Sequence, residues 1–150
     1  MSKRMDLTNL LENKGIHSIQ GAMRYKDLAK LGDPLTNLIF SLAYSQYTSQ
    51  FGGEKVSGKI LAAALRFAEL RHFAPPRLDA HGLGDCVEAM IAYGWLRNFF
   101  TIPEAAQLLE EQFLKLELEI KQSKAERADT IAMAVSVLLL YIFEKEQEQK

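Results

Sequence analysis

Asp85-Cys-Val-Glu-Ala-Met-Ile-Ala-Tyr-Gly-Trp-Leu96 opens with two acids and is otherwise almost wholly apolar. A run of this length without apolar/polar alternation predicts a helix, over 85–98, buried on most sides. Asp85 and Glu88 are spaced i, i+3 and so share one helix face. A second acidic mark, Asp33, lies in Leu28-Ala-Lys-Leu-Gly-Asp-Pro-Leu-Thr-Asn-Leu38. If Asp33 comes from another helix to meet the first two, three carboxylates surround one point, the hard oxygen set that Mg²⁺ or Mn²⁺ takes. Each acid also has a plainer reading. Asp33 before Pro34 has the form of an N-cap, and Asp85-x-x-Glu88 has the spacing of a capping box. Against the plain reading, Glu88 sits among Val87, Ala89, Met90 and Ile91, where a charged carboxylate needs a partner or a cation.

The rest of the chain sets the frame. Its 150 residues, 48% of them hydrophobic, are enough for one domain, 1–150, with a proper core. Ala, Leu, Glu, Lys and Gln dominate, and no Asn-Gly or Asp-Gly turn joins alternating strands, so the expected class is all-α with about seven helices. A formal net charge of −1 excludes a broadly basic nucleic-acid binder but leaves room for a basic rim around an acidic centre. Cys86 is the single cysteine, which excludes an internal disulfide framework and fits a reducing compartment. Met1-Ser-Lys-Arg-Met-Asp-Leu7 has no apolar core of a secretion signal, so a cytoplasmic protein is expected. Ile131 to Phe143 is uncharged, but it falls short of the roughly 20 apolar residues that span a bilayer. It is expected to be the centre of a bundle or a dimer contact, with no membrane partner.

Punctuation divides the chain into helices. They are expected over 6–13, over 18–31 with Ser18 as cap and Gly32 as stop, and from Asp33-Pro34 to about Ser49. Further helices are expected over 57–71, 85–98 and 103–121, and a final one opens at the capping box Ser123-x-x-Glu126. Phe51 to Lys55 and Phe73 to Arg77 read as breaks, and Leu78 to Leu83 as a short turn.

Leu31-Gly-Asp-Pro-Leu35 resembles the Leu-Gly-Asp-Ala-Val heart of the ribonuclease III signature. Asp85-Cys-Val-Glu-Ala-Met-Ile-Ala-Tyr93 resembles that family's second acidic motif, Asp-x-x-Glu-Ala-Leu-Ile-Gly-Ala. Val56-Ser-Gly-Lys-Ile-Leu-Ala-Ala-Ala-Leu65 is similar to the helix between them. Order and spacing agree over roughly residues 20 to 100.

The resemblance implies an all-α homodimer that hydrolyses phosphodiester bonds in double-stranded or structured RNA with Mg²⁺ (or Mn²⁺). By that similarity Asp33 and Glu88 are the catalytic metal ligands, and Asp85 is a third ligand or its anchor. No organic cofactor is implied. The family signature carries glutamates seven and four residues before its Asp, where this chain has Lys26 and Ala29. Asp27 is one residue out of register, a rotation of about 100° around a helix. Pro34 replaces a small residue. No appended double-stranded-RNA-binding domain is expected, so RNA binding is expected to be weak and salt-sensitive.

The candidate RNA contacts are Lys55 and Lys59, near a glycine-rich turn, and Arg24 and Lys26, near the first motif. His81, four residues before Asp85, is a candidate ligand or neighbour of the site. The other reading of the same fold is a non-catalytic RNA-binding or assembly module, which the missing glutamates favour. A metal-dependent pyrophosphohydrolase would carry a Glu-x-x-Glu pair, and none occurs. Nor do nucleotide-binding glycine loops, zinc spacings or a nucleophile elbow.

Overall fold

The helix Ala80–Leu96 has so little polar surface that it is stable only when wrapped by others, and the computed structural model of the chain, which describes residues 6–150, is built around it. Among the described residues every regular element is helical. In chain order these are α1 Leu7–Asn13, α2 Ile19–Met23, α3 Lys26–Thr48, α4 Gly58–Phe67, α5 Ala80–Leu96, α6 Ile102–Lys115 and α7 Lys124–Glu148, with a short 3-10 turn at Arg71–Phe73. The leader reading of the N-terminus falls mainly on residues 1–5, outside the described residues.

Helices α2, α3 and α4 pack on α5, while α6 joins α3 and α7, and α7 packs on α4. The core includes Ile39 and Phe40 of α3, Leu61 and Leu65 of α4, Val87, Met90 and Ile91 of α5, Phe113 of α6 and Leu139 of α7. Phe40 and Tyr47 both meet the Phe113 ring edge-on, at 5.9 and 5.8 Å between centroids, so these aromatics are core groups rather than base-stacking platforms.

Several local readings hold. Asp6, Ser18 and Ser57 cap α1, α2 and α4 through their side chains. Ser123 and Glu126 form the full reciprocal capping box of α7, and Thr101 and Glu104 form another at α6. α7 buries one face and leaves Met133 and Leu140 exposed on the other, and among the described residues no helix is long and apolar enough to cross a membrane.

Four boundaries differ. The helix expected over 57–71 ends at Phe67, where the chain turns at Ala68 and Glu69 takes a positive φ, and Arg71 belongs to the 3-10 turn. The helix expected over 18–31 breaks at Arg24-Tyr25, and α3 then runs unbroken through Gly32, Asp33 and Pro34. Gly32 is therefore no stop and Asp33 no cap. Pro34 is tolerated inside the helix because it and Lys30 lie on the exposed side, where the carbonyl left without a donor has water available. α5 begins at Ala80, five residues earlier than Asp85 and inside the stretch read as a short turn, capped by Asp79, whose carboxylate accepts from the Gly82 amide at 2.8 Å. Asp85 and Glu88 are thus interior helix residues and not a capping box. α6 ends at Lys115 instead of 121, followed by turns with positive φ at Glu117, Glu119 and Lys121.

Candidate active site

Two glycines determine how close the helices come to Glu88. A Cβ on Gly32 would lie 1.9 Å from the Glu88 carbonyl oxygen, so α3 meets α5 backbone to backbone at that point. A Cβ on Gly84 would lie 2.9 Å from the Gly58 Cα, which brings the start of α4 onto α5 one turn earlier. The close approach puts Asp33, next to Gly32, beside Glu88. Asp33, Asp85, Glu88, Lys55 and His81 line one small polar cleft of about 90 Å³.

The electrostatics of the cleft follow from this crowding. The Glu88 side chain lies out of water beside a second carboxyl. Burial first, then the hydrogen bond and charge of Asp33, push its pKa up to about 8. Asp33 shifts the other way. The neighbouring Glu88 carboxyl, the Lys55 ammonium and the Asn37 amide all favour its charged form and hold it below the ordinary aspartate range. The Lys55 Nζ stands 3.0 and 3.1 Å from the two Asp33 oxygens. Asn37 Nδ2 donates to Asp33 Oδ1 at 2.9 Å, and Asn37 Oδ1 accepts from the Val56 amide at 2.9 Å.

Asn37 is the residue that motif reading missed. It lies one turn after Asp33, and the i, i+4 series Asp33, Asn37, Ser41, Ser45 was the available signal. The loop back to α4 runs antiparallel along that series. Ser45 Oγ donates to the Gly52 carbonyl at 2.9 Å and accepts from its amide at 3.1 Å, and Gly53 fits against Ser41, where a Cβ would lie 2.4 Å from Oγ. Glu54 turns outward to pair with Arg127, which also binds Glu119. The loop is thereby pinned on both sides of Lys55.

The remaining candidates separate into neighbours and bystanders. Asp85 is half-buried at the cleft, with His81 Nε2 4.0 Å from its Oδ2 on the solvent side. Arg24 and Lys26 are exposed and line an adjoining groove that shares His81 and Asp85 with the cleft. Lys59 is exposed on α4 and does not line the cleft. Asp27 pairs with Lys30 at 3.1 Å and lines an apolar hollow under α1, so it does not replace a missing glutamate. Ala29, at the other signature position, is buried and carries no donor. Cys86 donates to the Met23 carbonyl at 3.3 Å and is a buried packing residue.

Among the described residues no three Asp, Glu, His or Cys side chains stand as a ready-made metal set. The donor chemistry nevertheless fits a divalent cation. Asp33 and Glu88 set two hard oxygen donors side by side in one cleft, and Asp33 already draws an ammonium.

The family model for ribonuclease III matches residues 26–148, which takes in every helix from α3 onward. The chain belongs to the ribonuclease III family. Comparison with curated proteins gives no match. Family membership brings a ribonuclease-type function, and the family works on RNA with divalent metals.

Proposed function

We propose that the protein is a Mg²⁺-dependent endoribonuclease that cuts double-stranded or structured RNA, acting as a homodimer of single domains, 1–150, in the cytoplasm. The observation that carries the reading is the Asp33–Glu88 carboxyl pair, made by backbone contact at Gly32 and sharing its cleft with Asp85. A divalent ion there supplies Lewis-acid stabilisation of a phosphodiester and acidifies a water. Asp33 and Glu88 are the residues that hold it, and Asp85, on the same face of α5, anchors the outer side of the site.

Lys55, Arg24 and Lys26 supply positive charge along the cleft and its adjoining groove for the RNA backbone, with Lys59 further out on α4. The homodimer reading is supported by exposed Leu38 and Leu42 on α3 and fully exposed Phe51 in the loop after it, large apolar groups that the described residues leave in solvent. Lys26 and Ala29 in place of the signature glutamates favour the second reading, a non-catalytic RNA-binding module.

Cleavage of an end-labelled RNA duplex with Mg²⁺ or Mn²⁺ separates the two readings. Metal-dependent cutting that Glu88→Gln and a chelator each abolish is the expected result. A folded dimer that binds the duplex but cuts it with neither ion would sink the nuclease reading and leave the module.

A further inference from the structure

We propose that Lys55 is a built-in stand-in for the divalent cation: its ammonium holds the acidic pair together in the metal-free protein and leaves Asp33 when the metal arrives. The inference rests on the metal-binding reading above and adds a role for a residue outside the acidic motifs.

Three observations carry it. The ammonium contacts both oxygens of Asp33, at 3.0 and 3.1 Å, the atoms that a metal would need. It also lies in the field of Glu88 and Asp85, so one positive charge answers the whole cleft. Its backbone is fastened on either side, by Ser45 to Gly52, Arg127 to Glu54 and Asn37 to Val56, while its side chain is 67% exposed. A fixed root and a free tip suit a flexible four-carbon stem that exchanges partners without moving the loop. An ammonium and a metal ion cannot both take the same Asp33 oxygens, so metal entry releases Lys55. Once free, the ammonium has an RNA phosphate as its natural partner.

The test is calorimetric titration of the RNA-free protein with Mn²⁺ alone. Loss of a competitor from an ion pair this exposed should tighten Mn²⁺ binding about fivefold in Lys55→Gln. Lys59→Gln, the same charge change four residues on in α4 and outside the cleft, should shift it less than about twofold. Equal tightening in both variants overturns the proposal, because a long-range charge effect then suffices. If the parent binds Mn²⁺ and Lys55→Gln binds it no better, the proposal fails and the nuclease reading stands. If neither parent nor variant binds Mn²⁺, both fail together. Should Lys55→Gln not fold, the ¹⁵N signal of the Lys55 ammonium in the parent decides. Movement towards free lysine on adding Mg²⁺ supports displacement, and an unmoved signal overturns it.

Discussion

Glu88 is a carboxylic acid with its side chain out of water and another carboxyl against it, and the consequence is measurable as stability. Its pKa in the folded protein, about 8, lies above that of an unfolded glutamate. The native state therefore keeps a proton that the unfolded state has released, and stability falls as pH rises between those two values. Asp33 has the opposite sign. Its lowered pKa stabilises the fold above the ordinary aspartate range, and that stabilisation is lost as acid protonates it. In chelator, urea denaturation should show the parent losing about 2 kcal/mol between about pH 5 and pH 8, and Glu88→Gln losing much less. Identical pH profiles for the two proteins would remove the argument for a crowded pair.

At the scale of elements, the cleft depends on a loop laid along one stripe of a helix. Asp33, Asn37, Ser41 and Ser45 recur every four residues on α3, and all four meet the chain between Gly52 and Val56. Asn37 is the central rung, since it donates to the acid and accepts from the loop. Asn37→Ala leaves the partly buried Val56 amide without its partner, at a cost of about 1–2 kcal/mol. Hydrogen exchange at Val56 should accelerate, while the amides in the middle of α5 lose only what the global stability loses. Unchanged exchange at Val56 would show that the loop does not hang on this side chain. None of this was visible in the composition of Phe51-Gly-Gly-Glu-Lys55, which reads as a turn and folds instead as an irregular loop along α3. That Gly53 is needed because Ser41 stands against it is a fact of packing.

For the whole molecule, the question is what covers the outer face of α3. Leu38, Leu42 and Phe51 are large apolar groups left in water, and a second copy related by a two-fold axis would cover them with the same surface. Sedimentation should find the parent as a dimer. Leu42→Glu with Phe51→Asp should shift it to monomer with its helix content unchanged, since neither side chain belongs to the buried core. A parent that sediments as a monomer at all accessible concentrations would exclude the homodimer.

The class, the number of helices and several of their caps were legible in the sequence, which also singled out Asp33, Asp85 and Glu88 as candidates. These rest on local chemistry: side-chain propensity, hydroxyl and carboxylate caps such as Ser57 and Ser123, and the burial implied by the neighbours of Glu88. It misjudged what it could weigh only locally. Gly32 and Pro34 read as helix punctuation, yet α3 continues through both, because the contact with α5 and the solvent beside Pro34 outweigh intrinsic preference. Packing between distant segments sets Asp33 beside Glu88, turns Asp27 away, brings Lys55 into the cleft and lets Asn37 tie Asp33 to the loop. The physical reason is that these contacts join residues far apart in the chain, and their distances are fixed by how closely two backbones approach where glycine removes a side chain.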